Sequence, residues 1–450
     1  MMKVAGQFGR VVLRGRSIGA GMMQTLITQG AIMVVNIATG ILTARLLGPS
    51  GRGELGAAML WFLLPCALAT VGLQSGIVYE TRRRPGRAAA TGLVSLGVAT
   101  LLFVPAAAAC LWALPHLMRG YTPAGLALAR FAILCSVLNV WMTLLRQSLL
   151  GTRNMLLFNL SNYFSPLLYL LLLLVLFTTS VITPFRVMAA QVVATVLVVI
   201  PTAFFTMRAW KRMPKFILAG ARPLLSYSIK ASPIDLVMVG YWNIDRVFLV
   251  ALVAPAEFGY YTVAASLARL LGILQAAISS VTLAGMSHRP VREIEAFIHQ
   301  AFRILFWLMA LGCVGGWIFG GELMRVFYGR SFGSAAPVFR VLIVDASMAC
   351  LAQMQLEAFL AAGRPSYPSI VQTISFTVII GLMLVLAPRF GAVGAAFSLL
   401  AGSTTKLGLL LAGLRGIGVG WPSLRLQPQD FDLLHRLVKQ ADRRSTEPMP

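Results

Sequence analysis

Charge is sparse in this chain, and acid is sparser. Only 12% of its 450 residues are charged, and 14 Asp and Glu stand against 38 Lys and Arg. No glycine-rich GK[ST] loop occurs, which excludes a built-in ATPase of the phosphate-loop type. There is no HExxH or other metal-type spacing, and the four histidines (His116, His288, His299, His435) are scattered. The five cysteines (Cys66, Cys110, Cys135, Cys313, Cys350) stand singly in apolar runs with no CxxC. Packing is their expected role, and neither a metal nor a cofactor is implied. The N-terminus is basic but has no short apolar core with a small-residue cleavage site, so no cleaved signal is expected.

What the chain does have is apolar length. It is 58% hydrophobic with a mean hydropathy of +0.81, far above the soluble range. Many runs reach about 20 residues, enough for a helix to cross a hydrocarbon layer of ~30 Å. Spanning β-strands would alternate in polarity; residues 166–177, PLLYLLLLLVLF, do not. The fold class is therefore an all-α polytopic membrane protein. A net charge of +24 could suggest nucleic acid, but the basic residues form no platform interleaved with aromatics. In a membrane protein, Lys and Arg gather on cytoplasmic loops instead.

The chain is organised around residues 43–56, TARLLGPSGRGELG, which read as a tight polar turn between two membrane-length helices. Residues 249–264, LVALVAPAEFGYYTVA, repeat the device, with Pro49 on Pro255 and Gly53 on Gly259 at an offset of 206. Ala129-Arg130 matches Phe339-Arg340 at 210, and Gly-Thr-Arg at 151–153 matches Ala-Gly-Arg at 362–364 at 211. Spans are expected near 20–47, 55–80, 88–112, 124–150, 155–178 and 185–208, then 226–254, 259–285, 297–319, 337–362, 368–387 and 391–413. That makes twelve transmembrane helices in two six-helix lobes. An even number per copy inserts both copies the same way up, a parallel pseudo-two-fold repeat that predicts a central cavity. The divisions are 1–225 with its basic linker, 226–413, and a basic tail, 414–450. Residues 1–17 and the stretch after Pro428 read as amphipathic segments on the membrane surface.

Alternate loops differ in charge. One set holds Arg82, Arg83, Arg84, Arg87, Arg153, Arg208, Lys211, Arg212, Lys215, Arg222, Arg289, Arg292 and Arg364. The other holds Arg52, Arg119, Arg325, Arg330 and Arg389. The richer side is cytoplasmic, and both termini join it.

Ionisable groups inside spans cost roughly 2.5–3.5 kcal/mol each at a helix centre, so they usually face protein or water. Arg45, Arg146 and Arg340 lie near span ends, where snorkelling outward is expected. Asp245, Arg246 and Arg269 lie deeper, at ~12–15 Å counting ~1.5 Å per residue. They read as a cluster on one antiparallel helix pair, either a structural ion pair with one spare cation or a cavity lining. Asp345 and Lys406 are also deep. Polar residues recur on shared faces: Gln29, Asn36 and Thr43; Asn139, Thr143 and Arg146; Gln353 and Glu357. Such stripes serve either helix–helix hydrogen bonding or a watery cavity. A membrane glycosyltransferase should carry acids or a sizeable loop outside; the longest outer loop, near 320–336, has one acid, Glu322.

These segments resemble the polysaccharide flippases of the multidrug/oligosaccharidyl-lipid/polysaccharide exporter superfamily. The resemblance rests on ARLLGPSGRGELG, on NIDRVFLVALVAPAEFGYYTVAASL at 243–267 and on LMRVFYGRSFGSAAPVFRVL at 323–342, and runs to about residue 415. It implies a two-lobed, V-shaped bundle that alternates between inward- and outward-open states. The implied substrate is a polyprenyl-diphosphate-linked oligosaccharide, moved to the outer leaflet of a bacterial inner membrane for surface polysaccharide synthesis. A cationic cavity would bind the diphosphate, a role carried over to Arg246, Arg269 and Lys406, with Asp245 and Asp345 as coupling or ion-pair acids. The implied partners are the lipid-linked glycan, membrane lipids and other polysaccharide assembly proteins. The rivals are a cation-coupled drug exporter of the same superfamily, a membrane glycosyltransferase or ligase, and a passive scramblase.

Overall fold

A computed structural model describes residues 18–178, 182–210, 221–272, 275, 291–361, 364, 366–417, 420–422, 424 and 425. The N-terminal surface segment, most of the basic linker, the second half of the span expected to end at 285 and the surface helix after Pro428 lie outside these residues. All regular structure among the described residues is helical. Helices α1 (Ile18–Ala69), α2 (Leu73–Arg83), α3 (Ala88–Leu117), α4 (Pro123–Cys135), α5 (Val137–Gly151), α6 (Met155–Phe177) and α7 (Pro184–Ala209) precede the linker. After it come α8 (Ala221–Leu252), α9 (Pro255–Ala268), α10 (Val291–Tyr328), α11 (Ala336–Ala361) and α12 (Ser366–Gly413).

Eight helical stretches among the described residues are long and apolar enough to cross a membrane. They are Thr28–Ala69, Pro85–Leu117, Pro123–Gly151, Met155–Phe177, Pro184–Arg208, His299–Tyr328, Arg330–Leu360 and Ser366–Gly416. Two of them exceed one crossing. At ~1.5 Å per residue, a straight α1 would outrun a ~30 Å hydrocarbon layer more than twofold. Its backbone breaks at Gly48 (φ 66°, ψ −178°), and α12 breaks at Gly391 (φ 58°, ψ −138°). Both angles are left-handed, where a side chain clashes with the backbone and glycine does not.

The expected polar loop at 43–56 is therefore much shorter in the structure. Helix continues on both sides of the single residue Gly48, and Pro49 starts the next segment, a position where its missing N–H costs nothing. Pro255 starts α9 in the same way. A break that periodicity did not reveal lies at Thr70–Gly72, between α1 and α2. Another similarity concerns helix ends. The Asn154 N–H donates to the Leu149 carbonyl at 2.9 Å, and the Arg364 N–H to the Phe359 carbonyl at 3.0 Å. These i to i−5 bonds close α5 and α11 at an offset of 210.

By their contacts the residues fall into two compact units, Met1–Gly259 and Tyr260–Pro450. In the first, Leu55 and Phe62 of α1 pack with Leu128 of α4, Tyr169 and Leu173 of α6, and Val187 and Met188 of α7. A second cluster joins Leu73 and Ile77 of α2 to Ala99 of α3, Val140 and Leu144 of α5, and Leu224 of α8. In the second unit, Phe302 and Leu305 of α10, Leu351 and Phe359 of α11, and Val371 and Leu410 of α12 form one core. The segment after α12 returns across this core: Arg364 donates to the Gly416 carbonyl at 2.6 Å and the Trp307 indole to that of Leu424 at 3.0 Å.

The two glycines aligned by sequence touch each other's turns. A Cβ on Gly53 would collide with the Pro255 carbonyl and lie 3.1 Å from the Gly259 nitrogen. One on Gly259 would collide with the Pro49 carbonyl and lie 3.2 Å from the Gly53 nitrogen. The contact is reciprocal: each glycine lets the helix start opposite come to backbone distance, the small-residue mode of packing in membranes. Because the obstacle is backbone, it cannot rotate away. Gly53→Val and Gly259→Val should each cost about 2–3 kcal/mol, read as a lowered thermal midpoint of the detergent-solubilised protein. Gly40→Ala, with nothing within 4 Å of the added methyl, should leave the midpoint unchanged or raise it.

Candidate functional site

The structure distributes the sequence candidates between the two units. Asp245 is buried and Arg246 half-buried near the end of α8, in the first unit. Arg269 follows α9 directly, belongs to the second unit and is exposed; its N–H still donates to the Ala265 carbonyl at 3.1 Å. Asp345 on α11 is half-buried and accepts a 2.6 Å hydrogen bond from the Ser403 hydroxyl of α12. Lys406, one turn beyond Ser403, is 6% exposed. The α11–α12 pair thus carries both an acid and a buried cation.

The polar stripes separate. Gln29 and Asn36 are exposed on the first part of α1. Thr43, in the same register, is buried and donates to the Thr39 carbonyl at 2.8 Å. Asn139, Gln353 and Glu357 are half-buried. Thr143 meets the Cys66 sulfur at 3.8 Å. Arg146 does not snorkel as expected. It is half-buried, and its guanidinium donates to the Ser161 carbonyl of α6 at 2.7 Å. A guanidinium that stays among apolar helices needs such an acceptor. Arg340, by contrast, lies over the Trp317 ring at 5.8 Å and donates to the Trp317 carbonyl at 3.2 Å.

Two polar residues were not singled out from sequence. Asp235, a lone acid in an apolar part of α8, accepts the Gly72 N–H at 3.0 Å. That N–H belongs to the left-handed residue (φ 73°) just before α2. A carboxylate from a neighbouring helix therefore caps the break in the chain after α1, matching the positive end of α2. The signal that flagged Asp245, an acid in an apolar run, applies equally to Asp235. Gln355 is fully buried on α11, and its side-chain oxygen and nitrogen find no partner among the described residues. It neighbours Gln353 in sequence but points elsewhere by helical rotation.

The first unit also holds a cleft of 770 Å³ between α2, α5 and α8. Its walls include Gln74, Tyr79, Arg82, Arg83, Gln147 and Tyr227. Tyr79 and Tyr227 stack at 4.3 Å between centroids with 12° between planes. The Arg83 guanidinium lies 5.9 Å from the Tyr79 centroid and donates to its hydroxyl at 3.0 Å. Gln74 donates to Thr70 at 3.0 Å, and Gln147 reaches Gln74 at 3.5 Å. The neighbouring acid, Glu80, is buried and lies 3.9 Å from Arg84 rather than on the cleft arginines. The chemistry on offer is cationic, aromatic and amide together.

The chain is similar to several known proteins. A family model described as polysaccharide biosynthesis protein matches residues 17–285. The probable flippase AglR of Haloferax volcanii is 27% identical over 185 residues, 40% of this chain; the chain spans 38% of that relative's length. The fold is similar to the lipid II flippase MurJ in an inward closed conformation, with a TM-score of 0.72 and 13% identity over 95% of this chain and 94% of that one. It is also similar to an inward-facing multidrug resistance MATE family transporter of the MOP superfamily, with a TM-score of 0.67 and 19% identity over 92% and 98%.

Removing the Asp235 cap leaves the Gly72 N–H without its acceptor. Asp235→Ala should lower stability by about 1–2 kcal/mol, whereas Asp235→Asn, which keeps an acceptor oxygen, should retain most of it. Thermal unfolding of the purified variants measures both.

Proposed function

Since the chain belongs to the polysaccharide biosynthesis protein family, we propose that it is a flippase of the multidrug/oligosaccharidyl-lipid/polysaccharide exporter superfamily. Its substrate is a polyprenyl-diphosphate-linked oligosaccharide, moved from the cytoplasmic to the outer leaflet of a bacterial inner membrane. The observation that carries the reading is the family match over residues 17–285, more than half of the chain. The likeness to MurJ and the MATE transporter supports the fold, and the apolar helices support a multi-pass membrane protein.

The architecture we infer has twelve crossings in two copies, 1–225 and 226–413, with the tail 414–450 and both termini on the cytoplasmic side. The glycine breaks support two crossings each within α1 and α12. The reciprocal Gly53 and Gly259 contact and the matched closures of α5 and α11 support the duplication. Loop charge supports the orientation.

The mechanism is alternating access without ATP. The anionic headgroup moves through a wet, electropositive path while its apolar tail stays in lipid. Arg246 and Arg269 are the cations proposed to meet the diphosphate. An exposed arginine at membrane depth requires water or an anion beside it, which is the condition Arg269 fits. Lys406, which is buried, is the third proposed cavity cation, with Asp345 as a coupling or ion-pair acid. Asp245 has the same candidate role on α8. Gln29, Asn36, Asn139, Gln353 and Glu357 supply polar contacts along the path. An inside-negative potential assists an outgoing anion by ~2.3 kcal/mol per charge per 100 mV.

A cation-coupled drug exporter has the same fold. Expression in a flippase-deficient strain separates the two: restored surface glycan supports the flippase, and drug resistance without glycan supports the exporter. In a translocation assay with a lipid-linked oligosaccharide, Arg246→Ala and Arg269→Ala should each lower turnover at least tenfold. Wild-type turnover in both removes their proposed role. Glycan transfer by the purified protein from a lipid-linked donor would instead indicate an enzyme.

A further inference from the structure

The cleft between α2, α5 and α8 gathers arginines, tyrosines and glutamines in one space. We propose that it binds a sugar diphosphate, with the two phosphates on Arg82 and Arg83 and the sugar against Tyr227 and the Gln74–Gln147 pair. The inference deepens the flippase reading and rests on it for the origin of the ligand.

Four observations carry it. The volume, 770 Å³, falls in the range of small-molecule sites, ~300–1,000 Å³. Arg82 and Arg83 are adjacent, exposed and not paired with any carboxylate among the described residues. Two neighbouring guanidinium forks suit two linked phosphates better than one. They also outweigh the opposing partial charge of about half a unit at the end of α2. The tyrosine pair is held in a stack by α2 and α8, so an aromatic wall stands ready for the apolar face of a sugar ring. Among the described residues Gln147 spends a single N–H on a long 3.5 Å contact, which leaves its carbonyl and second N–H for ligand hydroxyls.

The simpler role for these arginines is orientation of the loop. Orientation needs charge on the correct side and nothing more. It does not need two glutamines and two stacked rings from three helices around the same space. The loop's other arginines, Arg84 and Arg87, do not line the cleft. They supply the control.

The shared chemistry, a sugar diphosphate, can arrive esterified to a polyprenyl lipid or to a soluble nucleoside, and the tyrosine wall accepts a nucleobase as well. The experiment uses the full-length protein in lipid nanodiscs at low salt. Binding is measured for a short-chain polyprenyl diphosphate hexose, UDP-glucose, inorganic pyrophosphate and a neutral polyprenyl hexoside. The expected result is binding of at least one sugar diphosphate, tighter than pyrophosphate, with none for the neutral lipid. Preference for the polyprenyl form assigns the cleft to the cargo, and preference for UDP-glucose assigns it to a soluble precursor.

Arg82→Ala with Arg83→Ala should weaken binding at least tenfold, while Arg87→Ala leaves it within twofold. Should the double alanine variant fail to insert, Arg82→Lys with Arg83→Lys keeps the charge and loses the fork, and a threefold or greater loss is expected. Tyr227→Leu should weaken sugar diphosphates and spare pyrophosphate. Unchanged binding in the cleft variants, an equal loss in Arg87→Ala, or pyrophosphate binding as tightly as the sugar diphosphates overturns the proposal. Translocation is followed in parallel. Transport by the wild type with no cleft binding overturns the cleft and leaves the flippase; absence of both overturns the flippase reading and the cleft's part in it.

Discussion

The closest constraint in the first unit is the reciprocal contact of Gly53 and Gly259. Each residue has no side chain because the opposite helix start occupies that space, and each obstacle is a proline carbonyl. Lipid offers no hydrophobic gain for bringing two helices together, since the tails are as apolar as leucine. Approach to backbone distance is what makes dispersion and dipole contact large enough to hold a crossing there. The two prolines start their helices without an unsatisfied N–H, so the same four residues set both the turns and their packing.

Polar groups elsewhere follow from the absence of water. Arg146 turns to a carbonyl of α6, Asp235 to an N–H before α2, and Asp345 to a hydroxyl of α12. Each meets a backbone or side-chain dipole on another helix, the usual alternative to hydration in a bilayer. The same rule makes the cleft at α2, α5 and α8 stand out. Among the described residues its arginines are not turned to carbonyls or acids, and its aromatic and amide groups are gathered rather than dispersed.

Much of this was legible in the residues alone. Apolar runs of crossing length identify a helical membrane protein because hydrocarbon tolerates no unbonded backbone. Proline and glycine spacing aligned Pro49 with Pro255 and Gly53 with Gly259, since backbone requirements leave a residue-level mark. The length of the first turn was not legible, because a Pro-Ser-Gly-Arg stretch has turn composition whether it forms a loop or continues the helix after one left-handed glycine. Nor was the break at Thr70–Gly72, whose acceptor, Asp235, lies far along the chain.

By itself, the sequence determined the membrane class, the presence of helices long and apolar enough to cross a bilayer and the alignment of Pro49 with Pro255, because each depends on local composition and spacing. Only the tertiary structure decided the partners of the charged groups. It sent Arg146 inward, buried Lys406, left Arg269 exposed and brought Tyr79, Tyr227, Gln74 and Gln147 around two arginines that looked like loop markers. A charge carries no record in its own residue type of which distant helix will stand beside it. That is settled by how the helices pack.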